Sequence, residues 1–577
     1  MSTKTSRRAP FIFTAIAGIL FASVRPAVAS WSSSETIGLT GSSVDTSDVR
    51  LRTNAAGDAV VSWREGTSVV RAAIRPAGGP FGASQTLDGA TQTGSPIPHP
   101  ALGPDGRAIV MWFANPGTRK LRYADRPADQ TAFASAVDLF TPPQDLTSLD
   151  VVIDDGGATH VAYNGPGFAQ YPRVWARTRG GSEGDAFGSE ASITGNLSPG
   201  APGQIALATA GDGTSVLTFY SPSADVAPGS QQQHILGTVR ALDDLGWQLP
   251  GENDWMCCLS LGPQGVSSLA MDGAGKSYFV VHGVNDFADV PQPGPNAVRV
   301  GADGIVLGRQ QLDPTWSNAG VGPTNGGSPQ IAVDPSGNAW AAWAKQVGTE
   351  MKLFTAFRPA GEGTTFGKGK AIASDLSLDG FQGSFQLTAT PGGAVVAWLG
   401  GCGQDGCDVE SAVTGAASGT FWHQETAAAG ARLGHGLQLA GLPADDALLV
   451  YRKGDGHLKA RVFIPPPLRA VTAPLHRAIP GALANGIPVA VDVGVDGSDV
   501  RVKILDESDS LGLSRPFAAR KTALDRARGQ HVLTVKFTPE AAQQIAAQSV
   551  VHLTLRVTAT PPGGAPNAYE QKLVLRQ

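Results

Sequence analysis

Cysteine is nearly absent from this chain, with four in 577 residues. No C-x-x-C pair or histidine cluster accompanies them, so zinc of the usual ligand spacing is not expected. Charge is sparse too. Only 16% of residues are charged, with 49 acidic against 44 basic. A mildly acidic surface argues against nucleic acid as a partner. Beyond residue 29 no apolar run is long enough to span a bilayer, and no C-terminal anchor pattern is present. The ten histidines are scattered and no Ser/His/Asp arrangement can be read from them. Turns such as Ala210-Gly211-Asp212-Gly213 lack the EF-hand pattern. The expectation is no metal and no cofactor.

Glycine and proline, in contrast, are abundant, at 73 and 41 residues. They punctuate a repeat. Ile331 to Trp343, IAVDPSGNAWAAW, reads as a short strand, a tight turn and a second strand. Pro335 sets φ for the second turn position and Gly337 supplies the left-handed residue. Alternation then resumes with the period of a strand. Related units run from Arg52 to Trp63 (RTNAAGDAVVSW) and Ala101 to Trp112 (ALGPDGRAIVMW), and on to Leu439 to Tyr451. Six residues after the turn positions Gly57, Gly106, Gly157, Gly213, Gly275, Gly337, Gly392 and Asp445 stand Trp63, Trp112, Tyr163, Phe219, Val281, Trp343, Trp398 and Tyr451. The spacing predicts core residues that fill the space between neighbouring sheets. About eight units, roughly 50 to 60 residues apart, point to a propeller or array.

Each unit continues past its hairpin. Val69 to Arg75, Lys120 to Arg126 and Lys352 to Arg358 read as third strands. Phe81 to Leu87, Phe133 to Phe140 and Phe366 to Ile372 read as fourth strands. Four strands per unit make a propeller blade. The fourth-strand signature, an aromatic and then an aliphatic six on, also occurs at Trp31/Ile37, with no hairpin before it. The last unit has a third strand, Leu458 to Ile464, and stops at Pro465-Pro466-Pro467. Trp31 to Leu39 is therefore expected to complete the last blade and remove two open sheet edges. The rival arrangement is a row of separate two-sheet modules. With its D-x-x-G-N turns the repeat resembles exported bacterial β-propellers of the NHL type, a resemblance that implies a fold and leaves the function open.

The expected domains are a signal peptide over 1–29, an eight-bladed all-β propeller over 30–464, a proline linker over 465–467 and a second unit over 468–577. Lys4, Arg7 and Arg8 precede the apolar Phe11 to Val24, and Ala27-Val28-Ala29 forms a small-residue cleavage site. Loss of this leader would leave a net charge of roughly −9. In the last unit Ile487 to Val495, Val500 to Ile504, Leu533 to Phe537 and Val551 to Val557 alternate, and Thr538-Pro539 opens a helical turn. This part resembles the immunoglobulin-like domains appended to secreted actinobacterial proteins, which implies a spacer or adhesion module. It carries 13 basic against 9 acidic residues.

Cys402 and Cys407 bracket a short loop in the seventh unit, and a disulfide is expected there in an exported chain. Cys257 and Cys258 are adjacent, leaving open a vicinal disulfide, two thiols or pairing elsewhere. Vicinal disulfides occur in eight-bladed quinone-dependent dehydrogenases, but little else of that family is present. Nor do the turns match the Asp-boxes of sialidases. Loops are long around units four to six: Tyr220 to Gln233, Pro250 to Gly265, Gly283 to Asn296 and Leu312 to Gly327. They hold Asp254, Trp255, Asp286, Phe287, Asp289, Trp316 and Asn318. Aromatics beside carboxylates and amides suit a sugar ring, while bland loop decoration is the alternative. The first reading is a secreted, monomeric, non-enzymatic protein that binds a glycan or a protein at the cell surface. A carbohydrate-active hydrolase or lyase using carboxylates such as Asp286 and Asp289 is the second. A structural exoprotein is the third.

Overall fold

The computed structural model describes residues 30–577, except 40–47, 90–95, 115–119, 143–145, 147, 167–171, 183, 194–204, 211–213, 223–232, 241–246, 248–253, 260–267, 286–291, 316–328, 375, 377–383, 404–405, 416–417, 433–435, 444–445, 466–467, 475, 496, 516, 528 and 563–565. The described chain is all-β apart from two short helices, Ile479–Asn485 and Pro539–Ala546. Up to Ile464 it forms seven four-stranded sheets and one five-stranded sheet. We number them one to eight by the order of their hairpins. Within each sheet consecutive strands pair antiparallel in a simple meander, to which sheet eight adds the N-terminal strands at its edge.

The first strands of successive sheets lie side by side. Arg50–Thr53 of sheet one touches His99–Leu102 of sheet two. The contacts continue strand by strand to Gln438–Gly441 of sheet eight, which touches Arg50–Thr53 again. This propeller-like arrangement comes from the repeated hairpin. In the sixth, Asp334 accepts hydrogen bonds from the Asn338 backbone N–H (2.9 Å) and side chain (2.8 Å). Gly337 sits at φ 88°, where a Cβ is disfavoured. The seventh hairpin differs from the sequence reading. Thr390 pairs with Gly393, so the loop has two residues, and Gly393 rather than Gly392 takes the positive φ.

The repeated aromatics are core. Trp63, Trp112, Trp343 and Trp398 are wholly or almost wholly buried. Each packs across to the preceding sheet: Trp112 against Val60, Val70 and Ala72 of sheet one, and Trp343 against Tyr278 and Ala297 of sheet five. Large apolar rings gain most from being sandwiched between two sheets.

The N-terminal segment adds to the outer edge of sheet eight, as two strands instead of the single strand expected. Ser30–Trp31 pairs with Ile464 and Phe463, and Glu35–Leu39 pairs with Ala460 back to His457. Four steps of chain from Trp31 to Glu35 oppose three from Phe463 to Ala460, which makes a bulge. Ser32 covers the gap, its N–H donating to Val462 O (2.8 Å) and its hydroxyl accepting from Val462 N (2.9 Å). The fourth strands are also shorter than expected. Gln85–Asp88, Val137–Phe140 and Lys370–Ala373 begin about four residues after Phe81, Phe133 and Phe366, because those rings lie in the approach to the strand.

From Leu468 onward a three-stranded and a five-stranded sheet enclose one core that includes Val489, Val502, Leu555 and Leu573. Thr538 caps the second helix, its hydroxyl accepting from Ala541 N. Two elements escaped the sequence reading. The strand Phe517–Arg526 lies at a sheet edge, and Arg520-Lys521-Thr522 interrupts its apolar residues. The helix Ile479–Asn485 begins at Ile479-Pro480, where proline reads as a breaker but is tolerated in the first turn.

Candidate functional site

Asp286, Phe287, Asp289, Trp316 and Asn318 lie outside the described residues. Asp254, Trp255, Cys257 and Cys258 belong to Asp254–Leu259, the outermost strand of sheet four, which pairs with Gln233–Arg240. This corrects the placement of Asp254 and Trp255 in a loop. The Gly283 to Asn296 loop is also shorter than expected. Its flanks stay paired from Ser277↔Val300 to Asn285↔Gln292, despite Pro293 and Pro295. The disulfide Cys402–Cys407 is present and ties the second and third strands of sheet seven. Among the described residues no helix is long and apolar enough to cross a membrane.

A cavity of about 210 Å³ opens between sheets five and six. Tyr278 and Arg299 of sheet five, Leu307 and Gly308 of its outer strand, and Arg358 and Thr364 of sheet six line it. The Tyr278 ring lies between two guanidiniums, 5.8 Å from Arg299 and 5.4 Å from Arg358. Burial is the main cause that raises the phenol's pKa, against the pull of both arginines. It therefore stays a neutral hydroxyl. Burial likewise lowers the Arg358 pKa.

The two arginines play different parts. Arg358 is committed to the fold, donating to Tyr278 Oη (3.1 Å), Thr364 O (3.0 Å) and Gly361 O (2.6 Å). Gln310 is committed as well, bonding the backbone N–H and C=O of Phe366. Among the described residues the Nε of Arg299 is buried with no hydrogen-bond partner, as are those of Arg75, Arg126 and Arg179. An uncompensated buried N–H is costly, and an oxygen-bearing ligand would satisfy it. Leu307 is 48% exposed at the fourth strand and adds an apolar surface. The arrangement offers cationic, hydroxyl and apolar groups within one enclosure.

The sequence signal for this site is a break in the repeat. Third strands end in arginine at Arg75, Arg126, Arg179, Arg240 and Arg358. Arg75, Arg126 and Arg358 donate to the carbonyls of the turn glycines Gly57, Gly106 and Gly337. Sheet five has Val300 there instead, with Arg299 one residue earlier. That one-residue displacement sends the side chain to the opposite face of the strand.

Sheet three holds an unanticipated line of groups. His160 Nε2 lies 2.8 Å from Asp154 Oδ2, and Nδ1 lies 3.1 Å from Thr178 Oγ1. The imidazole is wholly buried, and Arg240 Nη1 stands 3.2 Å from Nε2. Burial is the first cause that lowers its pKa, with Asp154 opposing. Both ring nitrogens are engaged and the ring is closed from solvent, so this line is an internal clasp and not a nucleophile–base pair.

No family model matches the chain, and no curated protein matches it. Solved structures align weakly. An ulvan lyase of polysaccharide lyase family PL25 shares 11% identity at a TM-score of 0.43, over 67% of this chain and 96% of its own. The BP39L lectin from Burkholderia pseudomallei shares 13% at 0.38, over 73% and 96%. A fungal alcohol oxidase of the AA5 family, in complex with copper, shares 11% at 0.37, over 95% and 99%. Similarity at this level carries no argument about the activity of the present chain.

Proposed function

We propose that this chain is an exported, non-enzymatic binding protein that recognises a glycan at or near the cell surface. In this reading residues 30–464 form an eight-bladed β-propeller closed by the N-terminal strand segment. The 468–577 part is an immunoglobulin-like sandwich beyond a proline linker. The observation that carries the reading is the enclosure between sheets five and six. There the Arg299 guanidinium, the Tyr278 hydroxyl and the apolar Leu307 stand together. At about 210 Å³ it is smaller than the ~300–1,000 Å³ of drug-sized sites, which fits one terminal sugar residue rather than a long chain.

The test is binding of the purified mature protein to a broad array of glycans and bacterial polysaccharides. Arg299→Gln and Gly308→Leu variants are run beside it, with Trp255→Ala/Trp316→Ala as a third arm. A Cβ at Gly308 meets nothing within 4 Å, so leucine there adds bulk without a backbone clash. Saturable binding lost in the first two variants supports the enclosure, and loss only in the third moves the site to Trp255 and Trp316. Absence of binding by the parent refutes the glycan reading.

A further inference from the structure

The first strands carry a second pattern. Take the residue paired with the one just before each repeated aromatic. Around the ring these are Arg50, His99, Asp150, Ala206, Ser268, Gln330, Gln386 and Gln438. In several sheets this side chain ties one first strand to the next. Asp150 Oδ2 accepts from Leu207 N (2.9 Å) and Ser268 Oγ donates to Ile331 O (3.2 Å). Gln330 donates to Phe385 O (2.9 Å) and accepts from Leu387 N (2.8 Å). These bonds occupy backbone groups that an innermost strand leaves unpaired.

Arg50 stands apart from this scheme. Opposite it the next strand carries Pro100, which has no N–H to offer. The three consecutive positions Arg50, His99 and Asp150 are also the ones that bear titratable groups. Arg52, two residues on and on the same side of the strand, joins them. Arg52 Nη2 and His99 Nδ1 each lie 3.8 Å from Asp150 Oδ1, beyond hydrogen-bond range. Asp150 is already used by backbone, Oδ1 accepting from Val151 N (3.0 Å) and Oδ2 from Leu207 N. Nearby Asp48 is engaged by Arg64 at 2.7 Å. Two guanidiniums thus face one carboxylate that already accepts a backbone bond at each oxygen, and among the described residues Arg50 Nε is buried with no acceptor. The Arg52 side chain is 42% exposed, which gives solvent a way in.

We propose that Arg50, Arg52 and His99 form a binding site for a small oxyanion at the centre of the ring of first strands. A carboxylate, sulfate or phosphate group supplies two or more acceptor oxygens to forked guanidinium donors. The site is separate from the enclosure between sheets five and six.

Isothermal titration of the full mature protein at low ionic strength tests this, with inorganic phosphate, inorganic sulfate and glucuronate as probes. Phosphate or sulfate binding identifies a free-ion site, and binding of glucuronate alone identifies a sugar-borne carboxylate. Arg52→Gln is expected to weaken the binding about tenfold or more, and Asp150→Asn to tighten it about fivefold by removing the competing charge. The opposite signs keep the test sharp should the arginine variant fold poorly. Arg299→Gln is expected to leave it unchanged. The proposal is overturned by absence of saturable binding for all three probes. It is overturned equally by loss in Asp150→Asn, or by loss confined to Arg299→Gln, which would leave the glycan reading standing.

Discussion

His99 should make folding stability fall with acid in a defined window. Burial is the main cause that takes its pKa from 6.5 to about 4, and Arg50 adds to it, with Arg52 a smaller contributor. Asp150 pulls the other way and loses. Above pH 6.5 the imidazole is neutral in both the folded and the unfolded chain, so the group costs nothing. Between 6.5 and about 4 the unfolded chain binds a proton that the native chain refuses, and stability drops as pH falls. Below about 4 both states are protonated and the loss is complete. At 1.36 kcal/mol for each pH unit the total is about 3 kcal/mol. The assay is urea unfolding of the parent and of His99→Gln at several pH values across this window. Other groups, including buried His160 with its own lowered pKa, titrate in both proteins and cancel in the difference. The stability of the parent relative to the variant should decline by about 3 kcal/mol from neutral pH to pH 4. A difference that stays flat would refute the reasoning, and one that grows towards acid would mean that Asp150 holds a charged imidazole.

Three further outcomes are expected. Trp112→Ala removes a fully buried ring whose Nε1 donates to Asp88 Oδ2 at 2.9 Å, and should cost about 3–5 kcal/mol in a thermal or denaturant melt. An unchanged melt would show that the ring does not join sheets one and two. Replacing Cys402 and Cys407 by serine should cost about 2 kcal/mol on the loop-entropy estimate, read as a lower denaturant midpoint that reductant does not lower further. Deleting Ser30 to Leu39 uncovers the edge His457–Ile464, and light scattering should then show self-association. A monomer with the parent's melt would count against closure by this segment.

The fold was legible because its signals are local and repeated. One glycine turn, one aromatic and one alternation recur often enough that the noise of any single hairpin averages out. The same residues explain the lapses. Phe133 and Phe366 are buried and Phe81 partly so, and burial begins before strand pairing does. Phe517–Arg526 shows no apolar alternation through its middle, where Arg520, Lys521 and Thr522 are exposed on an edge strand. The candidate sites were harder to read, since each depends on a departure from the repeat and not on the repeat itself. Arg299 stands one residue out of step with its counterparts, and Arg50 faces a proline.

Pro100 shows how such a departure can arise. In a ring of first strands each polar side chain at the clasp position has a structural duty as long as its neighbour offers a backbone partner. Ser268 and Gln330 discharge that duty and remain neutral. A proline in the next strand cancels the N–H half of the duty, and the position loses its requirement for an acceptor. A cation such as Arg50 can then occupy it without leaving an amide unsatisfied. Asp150 keeps its bond to Leu207 N and so supplies only part of the compensation that two guanidiniums call for. Arg50 and Arg52 thus leave a local excess of positive charge beside Asp150, within a chain whose overall balance is acidic. A field of that sign at the ring centre draws small anions inward, whether or not the glycan site between sheets five and six is filled.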